Sequence, residues 1–359
     1  MARTLAATPP ILHPDTGQNG LDGLLELSKA HGVHSLLYSR LSEAGQPCPD
    51  PLRQAAFHQA ALFRLQDMEL ERLCTGLHQA NVAYLLVKGA ALAYQIYPTP
   101  EVRPRDDTDL FIDRSSLTKL KEVLSSLGYE PIIAHDGGLV SYQTGMAYAD
   151  ECRVTHTVDI HWNLSNRHEF QDILAFQFIR ESAVSVPRFS FPVYAPNQIH
   201  ALCLACLHLV GHHADSPRLI WLYDMQLLLQ RMQEQEIDEF VELTRSRALG
   251  DVTCRALTEV LRHFDDETAL TVMTRLGHGE GLPMPEESRL TLLMSNIRSF
   301  PTLFAKYKYL LALAFPSREY IRNQYKPGSR LLIPWYYLYR IFNGTLKTLE
   351  SGIRHKTPR

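Results

Sequence analysis

Three aspartates carry the clearest chemical pattern in this 359-residue chain: Asp107, Asp109 and, further on, Asp159. The first two stand one residue apart where the apolar run DLFID (109–113) begins, a run with strand texture. Side chains alternate along a strand, so positions i and i+2 point the same way. Two carboxylates on one face repel unless a cation lies between them. Hard oxygen donors of this kind suit Mg²⁺, which takes a few carboxylates together with phosphate oxygens and water. Asp159 falls in a second strand pattern, RVTHTVDIHWNL (153–164), where Thr157, Asp159 and His161 share one face and Val158, Ile160 and Trp162 the other. On a neighbouring strand it could join the first two. Three carboxylates can hold two metal ions, one activating an attacking hydroxyl and one stabilising the leaving group.

The residues before the aspartate pair fit anion binding. The run VAYLLV (82–87) meets Lys88-Gly89, after which ALAYQIY reads as a helix. Backbone N–H groups of Gly89 and Ala90 at that helix start could cradle phosphates, and Lys88 could add charge. Arg103 and Arg105 flank Pro104 just before the aspartates; they fit a triphosphate clamp, or else an ion pair with Asp106 or Asp107. Asp106, odd in the alternation, should point away. Four further side chains are weaker candidates for an acceptor cleft: His161, His208, His212 and Trp221. His208 and His212 are spaced i, i+4 as metal ligands can be, but no H-E-x-x-H pattern completes a zinc site. Trp221 and Tyr223 could stack on a ring, and Asp224 fits pairing within the protein.

These residues need elements to hold them. Residues 1–20 are rich in Pro, Gly and Thr and read as poorly ordered. Residues 21–80 form an N-terminal helical segment: short helices near 21–30 and 33–44, then one opened by Asp50-Pro51 as cap and first helical residue, running to about Gln79. Strands mixed with helices over 81–195 indicate a compact α/β or α+β unit, with further strands at YEPIIA (129–134) and near FSFPVYA (189–195) and a capped helix over 115–128. From 196 to 359 the pattern is helical, with helices expected at 197–213, 217–233, 236–248, 251–264, 286–297, 300–314 and 333–350. From Lys306 to Arg359 there are eleven Lys and Arg against two acidic residues, a basic tail that could contact RNA or acidic lipid, or form a solvated face.

Composition sets the bounds. The formal net charge is −3, so overall basicity gives no default nucleic-acid partner. The six scattered cysteines argue against a disulfide framework and fit a reducing compartment; Cys203 and Cys206 lie in an apolar helix and read as core. No apolar run reaches the ~18 residues of a membrane span, and the start lacks a secretory signal pattern, so a cytoplasmic location is expected.

The order of strand, lysine-glycine turn, helix, arginine-bearing loop, D-x-D strand and strand aspartate resembles the DNA polymerase beta-like nucleotidyltransferase superfamily. Within it the chain is similar to the bacterial uncharacterised nucleotidyltransferases, akin to toxin-type enzymes with a K-G-G-T-A-L motif. The matching residues are Lys88-Gly89-Ala90-Ala91-Leu92, Arg103 or Arg105, Asp107-Thr108-Asp109 and Asp159-Ile160-His161-Trp162; HGVHSLLYSRL and RLIWLYDMQLLL also fit. The Gly-Ser pair of many superfamily members is replaced by Gly89-Ala90-Ala91, which offers no hydroxyl. The resemblance implies an α+β fold, a small mixed sheet with N-terminal helices and a larger C-terminal helical domain. It implies Asp107, Asp109 and Asp159 as ligands of two Mg²⁺ (or Mn²⁺) ions, and Lys88, Gly89, Ala90, Arg103 and Arg105 at an NTP such as ATP. The expected reaction is NMP transfer to an acceptor hydroxyl on a small molecule. The alternatives are transfer to tRNA or protein, or a non-catalytic nucleotide-binding scaffold of the same fold.

Overall fold

The computed structural model describes residues 18–132, 140–165, 167–213, 216–284 and 289–354. Of the segment expected to be loosely ordered, 1–20, residues 18–20 open a helix, while 1–17 lie outside the described residues. So do 133–134 of the expected third strand, 286–288 of one expected helix, and Lys356 and Arg359 of the basic tail.

Helices α1 (Gln18–Ala30), α2 (His34–Glu43) and α3 (Asp50–Gln79) open the described chain. Pro51 sits in the first turn of α3, where its missing N–H costs nothing. Asp50 is not a side-chain cap, as the dipeptide led us to expect; it lies within the helix and pairs with Arg53 at 2.7 Å. Asn81 ends the helix in the left-handed region, at φ 51°, with Val82 N–H returning to Leu77 O at 3.0 Å.

The sheet has five strands: β1 (Leu85–Val87), β2 (Thr108–Phe111), β3 (Glu130–Pro131), β4 (Gln143–Ala149) and β5 (Thr155–His161), in the order β1-β2-β5-β4-β3. Only β2 and β5 pair in parallel; the other three pairings are antiparallel. The architecture is therefore α+β with a small mixed sheet. Helix α4 (Lys88–Gln95) follows β1 directly, and α5 (Leu117–Ser126) follows β2. Strand β4 was missed by sequence reasoning, as were the helices Phe176–Glu181, Glu267–Arg275 and Arg318–Tyr325: QTGMAYA contains glycine and two alanines, and has no run of β-branched residues.

Alternation gives the sheet two buried faces. Leu86, Leu110, Val158 and Ile160 pack with Leu70, Leu73 and Leu77 of α3 and with Leu120 and Leu124 of α5. Leu85, Val87 and Phe111 point the other way, into a core shared with the C-terminal helices. Burying each such side chain contributes roughly 1.5–3 kcal/mol. After β5 come α6 (Phe176–Glu181) and the ribbon β6 (Val184–Ser185) with β7 (Tyr194–Ala195). The helical layer is built from α7 (Gln198–His212), α8 (Leu219–Arg231), α9 (Glu234–Ser246), α10 (Gly250–His263) and α11 (Glu267–Arg275). Cys203 and Cys206 are free thiols buried in α7. Helices α12 (Arg289–Ser299), α13 (Leu303–Ala314), α14 (Arg318–Tyr325) and α15 (Ile333–Arg354) complete the described residues.

The two segments HGVHSLLYSRL and RLIWLYDMQLLL touch. Ile220 N–H donates to His31 O at 3.2 Å, and Gly32, at φ 70°, lies so close that a Cβ would meet Arg218 at 2.9 Å. The N-terminal helices thus pack on the C-terminal helical layer, and Val33, Leu36, Leu37 and Leu41 share its core.

Candidate active site

The parallel pairing of β2 with β5 sets the register: Asp109 lies opposite Asp159, and Phe111 opposite His161. With Val158 and Ile160 turned into one core, Asp159 and His161 emerge on the other face, toward the C-terminal helices. Asp109 is buried. Its Oδ1 accepts from Lys88 Nζ at 2.6 Å and lies 2.8 Å from His161 Nε2. Lys88 begins α4 with φ 53°, an unusual conformation for a residue with a side chain. Asp109, Asp159 and His161 can each offer one donor atom, all within 4.8 Å of one another.

The carboxylates of this cluster repel one another, and Lys88 offsets part of their charge. Burial, then the charges of Asp109 and Asp159, push Asp107 up to about 7. Asp159 is raised by burial and by Asp109. Burial would raise Asp109 too, but Lys88 and His161 hold it well below the usual carboxylate range. Burial and Lys88 lower His161, favouring the neutral imidazole that can ligate a metal. The carboxylate oxygens fit Mg²⁺ or Mn²⁺, whereas a neutral imidazole is a softer donor than Mg²⁺ prefers. Asp107 stands outside the tight group and borders the adjoining cleft, as does Asp109.

That cleft holds about 250 Å³, between the start of α4, the loop entering β2, and helices α7 and α8. Arg103 and Arg105 both border it, yet both have protein partners. Arg103 is buried and pairs with Asp224, Nη2 to Oδ2 at 2.6 Å and Nε to Oδ1 at 3.3 Å, and donates to Pro104 O at 2.8 Å. Tyr97 donates to the same carboxylate at 2.6 Å. The pairing of Arg103 with Asp106 or Asp107, one expectation from sequence, gives way to Asp224, 121 residues on. Arg105 is buried and donates to Gln66 O at 3.0 Å and Thr108 Oγ1 at 3.3 Å. Asp106 does point outward, to Arg218 at 3.3 Å.

Gly89 matters for a reason other than phosphate binding. A Cβ there would stand 2.5 Å from Arg103 Nη1. Ala90 is buried in the core beneath the sheet. On the helical side His208 and Trp221 line the cleft, their rings edge to face at 5.2 Å. Burial and Lys88 keep His208 neutral by holding it well below the usual imidazole range. His212 is exposed and does not line the cleft; its neighbour His213 does, 4.4 Å from the Trp221 ring. The helix ends at His212, so the i, i+4 spacing did not extend to the residue that turns inward.

Gly145 was also missed. It is the β4 partner of Asp159, and a Cβ there would lie 3.3 Å from Asp159 Oδ1. A glycine opposite Asp159 is the signal, but it is readable only once β4 is known.

Comparison with known proteins gives one family match. Residues 18–264 fit the family described as uncharacterised nucleotidyltransferase. No curated protein matches. Among solved structures, the antibiotic-resistance factor ANT(2'')-Ia is 14% identical, with a TM-score of 0.38 over 56% of this chain and 98% of that one. An antigenic nucleotidyltransferase-like protein from Paracoccidioides brasiliensis is 15% identical, with a TM-score of 0.34 over 56% of this chain and 94% of that one.

Proposed function

The chain belongs to the uncharacterised nucleotidyltransferases, and on that premise we propose that it transfers an NMP group from an NTP to a hydroxyl of a small acceptor bound in the cleft. The observation that carries this reading is the register of β2 against β5, which sets Asp109 beside Asp159 while Asp107 and Asp109 border the cleft.

Asp107, Asp109 and Asp159 would hold divalent ions, Mg²⁺ or Mn²⁺, with His161 as a further donor. Such ions supply charge stabilisation at phosphoryl oxygens and acidify a bound hydroxyl. The acceptor oxygen attacks the α-phosphorus, the bond to pyrophosphate breaks, and Asp159 receives the hydroxyl proton. Lys88 neutralises charge beside Asp109, and the N–H groups of Gly89 and Ala90 at the α4 start orient phosphate. Arg105 borders the phosphate side of the cleft, and Arg103 acts by holding the loop that carries the aspartates. His208, His213 and Trp221 offer a ring-lined wall on which an acceptor would rest.

Calorimetric titration with each of the four NTPs tests the reading directly. Saturable binding is expected with Mg²⁺ or Mn²⁺ present, and it should vanish with chelator and in Asp109→Asn and Asp159→Asn. Absence of NTP binding by the folded wild-type chain rejects the assignment.

A further inference from the structure

The last helices present apolar side chains to solvent in stripes. On α13, Leu303, Phe304, Tyr307, Leu310 and Leu311 are all exposed, Leu303 by 84%. On α15, Trp335, Leu338, Tyr339 and Phe342 are exposed, Trp335 and Phe342 by 66% each. Each set follows helical spacing, so each helix shows one apolar stripe. Leu331, between the two helices, is 89% exposed.

The stripes are outward faces of packed helices. Tyr337 of α15 donates to Pro316 O at 2.7 Å, Arg340 donates to Leu313 O, and Tyr336 stacks on Tyr325 at 5.3 Å. Phe300 stacks on His168 at 3.7 Å and on Tyr309 at 5.0 Å, and His168 N–H donates to Asn296 at 3.0 Å, which anchors the unit to the core. Lys308 lies over the Phe304 ring at 4.6 Å, and Arg318, Arg322 and Lys326, on α14 and at its end, are exposed. This region also lies beyond the segment that matches the family.

We propose that this surface docks on an anionic lipid bilayer and holds the protein there. Single exposed apolar residues are ordinary, but aligned stripes rimmed by basic residues mark an interaction surface. Trp, Tyr, Phe and Leu exposed along two helices, with Lys and Arg exposed on α13 and at α14, match the headgroup boundary of a membrane. No helix among the described residues is long and apolar enough to cross a bilayer, so the helices lie on it. A second copy of the chain would bring two positive surfaces together. RNA would satisfy the cations but leave Leu303, Leu331 and Leu338 in water. An anionic bilayer satisfies both kinds of residue.

The full-length chain should co-sediment with phosphatidylcholine vesicles that contain phosphatidylglycerol, about tenfold more tightly than with phosphatidylcholine alone, and less so as salt rises. Emission from Trp335 should shift to the blue on binding and show no shift in Trp335→Phe. Trp335→Glu with Phe342→Glu should abolish sedimentation while NTP binding persists, which separates this surface from the cleft. Leu303→Glu with Phe304→Glu should do the same from the other stripe. The proposal is overturned by equal affinity for both vesicle types, by no binding, by a dimer in light scattering that these substitutions dissolve, or by tighter binding to single-stranded RNA than to anionic vesicles.

Discussion

Arg103 and Asp224 form a buried ion pair, 2.6 Å between Nη2 and Oδ2, that ties the loop entering β2 to helix α8. Both side chains are at most 7% exposed, and Tyr97 completes the hydrogen bonding of the carboxylate. Removing one partner leaves a buried charge without compensation, which typically costs about 3–5 kcal/mol. Asp224→Ala should therefore lower unfolding free energy by that amount in urea titration. Arg103→Met combined with Asp224→Leu should recover most of it, because an apolar pair leaves no orphaned charge. A double variant as unstable as the single one would show that the site depends on more than the pair.

Gly89 is tied to the same pair. A Cβ 2.5 Å from Arg103 Nη1 must displace the guanidinium. Gly89→Ala should destabilise by about 1–3 kcal/mol, the usual cost of overpacking. The penalty should shrink in the Arg103→Met, Asp224→Leu background, since the group in collision is gone. A double-mutant cycle with no coupling would contradict this account.

Gly145 offers a test of the aspartate cluster from the opposite side. Its missing side chain leaves space for Asp159, and a Cβ would lie 3.3 Å from Oδ1 and 3.2 Å from Ile132 Cδ1. Gly145→Val should weaken Mg²⁺-dependent NTP binding by about tenfold or more, as displacement of groups around metal ligands commonly does. Calorimetry with Gly145→Val reads this; unchanged affinity would mean that Asp159 tolerates the push.

The face on which Asp159 and His161 emerge was legible because strand alternation is a local rule, whereas Asp107 precedes β2 and stands outside their group. Thr157, Asp159 and His161 on one face of β5, against Val158 and Ile160 on the other, follow from sequence spacing alone. What joins Asp109 to Asp159 was not local: their pairing depends on a parallel crossover between β2 and β5. The resemblance supplied the expectation that they meet. Long-range partners stayed hidden for the same reason. Nothing near Arg103 announces Asp224, and Asp106 and Asp107 are closer in sequence. Strand β4 was lost because its alternation is carried by Thr144 and Met146 beside a glycine, too weak a pattern to stand alone. His213 escaped because α7 stops at His212, so a helical wheel could not place the next ring.

His200 gives a pH test away from the cleft. It is buried in α7, edge-on to Phe178 at 5.0 Å, with Ser182 Oγ 3.1 Å from Nδ1. Burial, with Arg247 nearby, pushes its pKa down to about 4 from an unfolded value of 6.5. The unfolded chain therefore binds a proton between those values that the folded chain does not. This contribution to stability is fully present above the unfolded pKa. It falls by about 1.4 kcal/mol for each pH unit below it, to a total of roughly 3 kcal/mol as the folded pKa is reached. His200→Gln removes the titration, so its urea unfolding curve should lose less stability than the wild type between about pH 7 and about pH 5. Parallel losses in the two proteins would show that His200 does not drive the change, and would point to another imidazole held low by burial, such as His208.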